Sequence, residues 1–347
     1  MGWMNVPGKV AAVGLLVALV LPVSALGQAS ETWRYPVRVQ GGVGMITAAG
    51  EQVDAGPFEA LKAFSGQLGP ARLGGRWGYL NPEGVWVIQP SFREADLFTG
   101  GVARVRAEPG WILIDESGAQ ITERAYEDMT PLGDGLAGYQ AGADTTPRGQ
   151  PGLWGVLSDE GLELSGPVLD GVFRPSEGLI PAEKYRKLLF IRLEKRWGYA
   201  NSTGAWVIPA TYTSVRTFSE GLALVSDRGA ASYLNARGEV ELTLPYPAAY
   251  SFSEGLARVG DQRLTGFVDR TGELVIGLQF EAAKDFSGGR ATVRMGGLWG
   301  YIDTAGAFLI QPRFEVASSF HGPLARVVDG GREAYIDRDG RMVWAGR

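Results

Sequence analysis

The sequence predicts an all-β repeat protein: about nine three-stranded antiparallel meanders, each of about 34 residues, in an open twisted array, with a closed β-propeller as the alternative. Three observations predict it. First, the phrase "WGYLNPEG" at Trp77–Gly84 returns as "WGYANSTG" at Trp197–Gly204 and "WGYIDTAG" at Trp299–Gly306. Second, aligning that phrase along the chain gives nine copies, starting at Val43, Trp77, Trp111, Trp154, Trp197, Ala231, Thr265, Trp299 and Glu333, with steps of 34 residues except for two of 43. Third, Trp, Tyr, Val and Ile cluster in short runs bounded by Gly and Asx, and helical periodicity is missing from almost every unit. The step of 34 is also that of helical tetratricopeptide arrays, and these short β-branched and aromatic runs argue against them.

The chain begins with "MGWMNVPGK", which carries one cation, Lys9, followed by the apolar run Val10–Leu26 and the small residues of "SALGQAS". Residues 1–29 thus read as an export signal cleaved after Gly27 or Ala29, and residues 30–347 as the repeat domain. The alternative, an uncleaved membrane anchor, is disfavoured by a stretch short for a spanning helix. No second apolar stretch approaches that length.

Each unit reads as three strands, named C, A and B in chain order. Strand C is "RYPVRV" (Arg34–Val39) at the first unit and "VARVR" (Val102–Arg106) later. Strand A is the Trp-Gly-aromatic run. Its third and fourth columns are apolar in every copy, so both faces of the strand are covered. Its second column is Gly in six of nine copies, which suggests that the ring or a neighbouring backbone lies close over it. The fifth column is always Asn, Asp, Ser or Thr and the eighth always Gly. A short side chain that accepts turn N–H groups, three residues before a residue free to be left-handed, spells a tight A–B hairpin. Strand B follows, as in Val85–Gln89. The next element, such as Pro90–Gly101, spaces Phe92, Ala95 and Phe98 three apart, as in one helical or 3₁₀ turn plugging the core. The last residues, "YIDRDGRMVW", are strands A and B of the ninth unit. A ring would need nine three-stranded blades, outside the usual four to eight blades of four strands, which favours the open array.

Trp-Gly-aromatic-Ile-Asp-x-x-Gly, followed by Phe-x-x-Ala-x-x-Phe-Ser-Glu-Gly-Leu-Ala-x-Val, resembles the WG-repeat (KWG) family over nearly all of residues 30–347. Val43, Ala231, Thr265 and Glu333 replace the Trp, so those units are degenerate. The resemblance implies a bacterial β-repeat protein and offers no catalytic residues.

Composition narrows the function. The chain has 347 residues, 45% of them apolar, and a formal charge of −5. Such a chain lacks the basic surface that nucleic acid demands. With no cysteine, disulfides, thiolate nucleophiles and Cys-based zinc sites are excluded. His321, the only histidine, fills the Ser position of the "FSEG" turn and reads as a turn residue. "DRDG" (Asp337–Gly340) faintly resembles a calcium loop and lacks the twelve-residue frame ending in Glu. "MGGLWG" (Met295–Gly300) lacks the strand–helix context and Lys of a phosphate loop. The scattered carboxylates fall mostly in turn columns, against a glycosidase pair. No catalytic residue, metal site or cofactor is expected. The Trp column reads as core, with a sugar-stacking surface as its alternative.

Two units carry nine extra residues each, between the "FSEG"-type turn and the next Trp. The first region, Ala137–Gly152, is polar and rich in Gly and Pro, hence a long surface loop. The second, Ile180–Arg196, holds Lys184, Arg186, Lys187, Arg192, Lys195 and Arg196, with "LLFIRL" (Leu188–Leu193) read as its strand C. A basic cluster beside a long loop on an acidic protein is the candidate interaction face. The sequence therefore predicts an exported, non-enzymatic scaffold, periplasmic, at the cell surface or secreted. Its partner would be a protein or other envelope component, not nucleic acid. A carbohydrate or cell-wall binder using exposed aromatics is the alternative, and an envelope hydrolase with converging acids a third class.

Overall fold

The computed structural model describes residues 32–64, 66–140, 152–188, 191–227, 230–261 and 263–346. The expected leader at 1–29 lies outside them, as does 141–151, the heart of the first long loop. Among the described residues the chain forms nine consecutive antiparallel sheets and no helix. They are blades 1 to 9, spanning 34–58, 60–92, 94–126, 128–169, 171–212, 214–244, 248–280, 282–314 and 316–345. The phase is as predicted: strands C, A and B of blade 1 are Arg34–Val39, Gly42–Thr47 and Gln52–Phe58. The hairpin chemistry is as predicted too. In blade 8, Asp303 Oδ1 accepts the N–H groups of Ala305 at 3.0 Å and Ala307 at 2.9 Å, and Gly306 is left-handed at φ 84°.

The open array is overturned. The buried apolar residues form nine clusters, each shared by two successive blades. An open row of nine blades has only eight such junctions. The ninth joins Tyr35, Val37 and Ile46 of blade 1 to Leu324 and Tyr335 of blade 9. There Tyr335 donates its hydroxyl to Pro36 O at 2.8 Å, and Tyr35 to His321 O at 2.6 Å. The molecule is a closed nine-bladed β-propeller. The cause is taper. At the junction of blades 8 and 9 the short strand and strand C supply Ala317, Ala325 and Val327, while strands A and B supply Tyr301, Ile310 and Phe314. At this junction small residues along one edge meet large ones along the other and make a wedge, and wedges close.

The three-stranded blade is corrected as well. Seven sheets have four strands; blades 1 and 3 have three. The extra strand precedes strand C and has only two residues in most blades, as at Ala60–Leu61, Glu94–Ala95 and Val316–Ala317. It occupies the place read as a helical turn. The three-residue spacing has another origin: Phe92 ends strand B of blade 2, Ala95 lies in the short strand of blade 3, and Phe98 returns to pack on Tyr79 at 4.7 Å.

Between those points the chain crosses from one blade to the next. Tyr79 pairs with Ile88 but Trp77 with Phe92, so strand B makes an excursion of extra residues beside Gly78. A Cβ on Gly78 would sit 2.4 Å from Ile88 O and 2.7 Å from Pro90 N. The bulged strand B of the same blade rides directly over the glycine. The expectation that something lies close over this column is met, and the object is backbone. Arg93 N then donates to Arg106 O of blade 3 at 2.8 Å.

The third-column tyrosines of five blades tie each of them to the next. Tyr79, Tyr199, Tyr233 and Tyr301 are fully buried and donate to the carbonyls of Asp96, Arg216, Tyr250 and Ser318. Burial raises the pKa of each well above the free phenol value, and that of Tyr335 to about 12. Below pH about 10 these groups are neutral folded and unfolded, so their contribution is fully present. As pH rises through that value the unfolded chain ionises and the folded one resists, and stability falls by about 1.4 kcal/mol per pH unit for each tyrosine. The urea midpoint is therefore expected to drop steeply between pH 9 and 11, and Tyr79→Phe to flatten the slope. An unchanged midpoint over that interval would contradict the assignment.

Candidate functional site

Antiparallel alternation puts the turns between short strand and strand C on one face of the ring, with the A–B hairpins. The C–A hairpins emerge on the other. Most C–A hairpins are compact, as at Gly69–Leu73 with Arg76–Leu80, joined by Gly74 and Gly75, both left-handed. Blade 5 departs from this. Its C and A strands are Ile180–Leu188 and Ile191–Ala200, nine and ten residues against the usual five. The predicted strand C at "LLFIRL" is corrected, since Leu188 pairs with Ile191 and those residues straddle the hairpin tip. The extra residues lengthen both arms, with the ladder continuing outward through Lys184↔Arg196 to Leu188↔Ile191.

The six cations expected to form the face all lie on this hairpin. The register sets Lys184 opposite Arg196, Arg186 opposite Glu194 and Lys187 opposite Arg192. The side chains of Arg186, Lys187 and Arg192 lie outside the described set. Of the rest, Lys195 pairs with Glu183 at 3.4 Å and reaches over the Trp197 ring, and Arg196 binds Glu194 and Asp227. Lys184 is exposed, with no carboxylate partner among the described residues. At the base of the hairpin, Phe173 stacks on Trp197 at 4.7 Å and 5° and is 51% exposed. Sequence reasoning passed over Phe173. It stands where blades 2 and 8 place Lys62 and Lys284 over their own indoles, and that column was the available signal.

The other candidates resolve structurally. Trp111 and Trp197 are buried, and Trp77, Trp154 and Trp299 are part-buried against the inter-blade clusters, as the core reading expects. His321 pairs with Leu324 as Ser219 pairs with Leu222, and its ring meets Trp33 edge-on at 4.7 Å. Asp337 Oδ1 accepts Asp339 N and Arg341 N at 2.9 Å, a hairpin like the others. Among the described residues no three His, Asp or Glu side chains gather as metal ligands.

The "FSEG" turn does more than turn. Ser176, Ser219 and Ser253 each donate to the Phe carbonyl of the following blade at 2.7 Å. Glu177, Glu220 and Glu254 are left-handed, with φ of 52°, 57° and 56°. That conformation costs a Cβ-bearing residue about 1–2 kcal/mol. Each carboxylate accepts a backbone N–H from the next blade's turn, at Gly221, Gly255 and Gly289, and a bond to a charged group contributes about as much. The turns therefore form a ladder running blade to blade, invisible to a reading that treats each unit alone.

Comparison with known proteins agrees with the repeat and the ring. The family described as "WG containing repeat" matches residues 77–108, 197–229, 266–299 and 299–332. No curated protein matches the chain. Among solved structures, it is similar to the crystal structure of a eukaryotic initiation factor at 10% identity and TM-score 0.59, covering 91% of this chain and 96% of that one. It is also similar to apo AztD from Citrobacter koseri at 11% identity and TM-score 0.41, covering 90% and 94%. At these identities the first likeness speaks to the fold alone, and the second carries no argument.

Proposed function

On the premise that four of its units match the WG-containing repeat and that its blades close into one ring, we propose that the protein is an exported, non-enzymatic scaffold that binds another protein at the cell envelope. The observation that supports this is the hairpin of blade 5. It is the described element that departs most from the repeating geometry, and departures on a rigid repeat carry recognition. Its exposed Lys184 lies on the same hairpin as Trp197, which stacks with the half-exposed Phe173. The export reading adds the apolar leader, and no described helix is long and apolar enough to cross a membrane. A carbohydrate or cell-wall ligand is the second reading, favoured by the half-exposed Phe173 face.

The test is capture from envelope extract by wild type and by a variant with Ala143–Gly149 deleted and Lys184, Arg186 and Lys187 changed to Gln. The expected result is a captured protein lost from the variant, whose melting is unchanged. Capture that survives both changes would refute this face. Binding to purified peptidoglycan, lost on Phe173→Ala, would favour the second reading.

A further inference from the structure

A cavity of about 320 Å³ lies at the inner edge of the ring, lined by Lys62, Asp96, Thr99, Arg104, Leu132 and Arg174 among others. Lys62 belongs to blade 2, Asp96, Thr99 and Arg104 to blade 3, Leu132 to blade 4 and Arg174 to blade 5. Four successive blades can share one cavity only where they converge, so it sits at the axis. Thr99 lies in a short-strand turn and Lys62 shares the column of Phe173, so the cavity runs along the inner wall.

The lining charges are three cations and one carboxylate, a local excess of two positive charges on a chain whose formal charge is −5. Two of the cations are clamped in place. Lys62 donates Nζ to Ala95 O at 2.8 Å and stands 3.7 Å from Asp96. Arg104 donates Nε to Asp96 at 2.8 Å, donates also to Met129 O, and lies on the Trp111 ring at 4.1 Å. Arg174 is held differently. Its Nε donates to Leu132 O at 2.7 Å, and its two terminal nitrogens have no hydrogen-bond partner among the described residues. A guanidinium fixed through Nε has already lost much of its rotamer freedom and presents a ready fork to an oxyanion.

We propose that this axial cavity is a binding site for a small dianion, a phosphate or a dicarboxylate. Arg174 takes one oxyanion edge through its fork. Lys62 supplies a second charge, and the Thr99 hydroxyl is within the same lining. Asp96 limits the excess to two charges, which a dianion matches and a monoanion does not. The volume is at the lower end of the range of about 300–1,000 Å³ usual for small-molecule sites. The site goes beyond the scaffold reading and uses Arg174 and Lys62 in place of Phe173 and the hairpin cations, so either can fail alone.

The experiment is calorimetric titration of the full chain with inorganic phosphate and with succinate, with acetate and chloride as monoanion controls. Phosphate or succinate is expected to bind one per chain, more tightly than either control, and the stronger of the two identifies the ligand class. Arg174→Gln and Lys62→Gln are each expected to weaken it at least tenfold. Arg174 is exposed, so its variant should melt as wild type does; if Lys62→Gln loosens the ring instead, Arg174→Gln still decides. No binding of either dianion, or binding indifferent to Arg174→Gln, would overturn the proposal.

Discussion

Replacing Gly300 by Ala is expected to destabilise the ring by about 3 kcal/mol, although it adds a single methyl group. The added Cβ would lie 2.6 Å from Ile310 O, 2.7 Å from Pro312 N and 2.9 Å from Gln311 C, all of them backbone atoms. No rotamer change can relieve a backbone clash. The bulge of strand B must lift, and Trp299, paired with Phe314 at the far end of that bulge, must lift with it. Gly78, Gly198 and Gly266 stand in the same relation to Ile88, Ile208 and Ile276, each with a carbonyl at 2.4 Å, so the result should be general. The control is Gly277→Ala. Gly277 belongs to the bulged strand B of blade 7, meets nothing within 4 Å and has no left-handed φ. Its replacement is expected to be neutral, or to stabilise by about 0.4–1 kcal/mol through the unfolded chain. Thermal unfolding should show a fall in Tm on the order of 5 °C for Gly300→Ala and none for Gly277→Ala. Equal effects would mean that the bulge does not depend on the glycine.

That contrast also shows how far the sequence could be read. Turn columns are local, and local chemistry survives folding: the Asx residue and the Gly of each hairpin behave as their spacing implies, from Asp115 to Asp337. The two-residue strands were not legible because two residues carry no periodicity. Glu94 and Ala95 become a strand only through the partners Arg106 and Val105, supplied by the next stretch of chain. Closure was partly legible. Alanine recurs at Ala95, Ala283 and Ala317 in the short strands, and Tyr or Phe in strand A, which is the composition of a wedge. Counting strands instead of comparing side-chain volumes led to the open array. The axial cavity was not legible at all. Lys62, Arg104 and Arg174 are 42 and 70 residues apart in the chain and occupy unlike columns of their units. Only convergence at the axis unites them. The basic hairpin was found because its residues are contiguous. What the structure adds there is that Lys195 and Arg196 are neutralised locally.

Closure itself makes the second large prediction, Tyr35→Ala. Tyr35 lies in the first described strand, 1% exposed, with its ring 5.3 Å from Tyr335 and stacked on Trp33 at 6.1 Å. Its hydroxyl donates to His321 O and receives Leu324 N at 3.3 Å. In an open row this side chain would stand on the outer wall of a terminal blade, half in water, and its loss would cost little. In the ring it fills the junction that no covalent link spans, and truncation should cost about 3–5 kcal/mol, as for other large buried aromatics. Tyr199→Ala is the comparison. Tyr199 fills the junction of blades 5 and 6, which the chain itself connects, so its cost should be similar in either architecture. The two substitutions are expected to lower the urea midpoint by comparable amounts. Tyr35→Ala alone should also free blade 1, exposing the amides of Tyr35–Val37 to rapid hydrogen exchange while those of blades 5 and 6 stay protected. A cost below about 1 kcal/mol for Tyr35→Ala, beside a full cost for Tyr199→Ala, would mean the ring is open between blades 9 and 1 in solution.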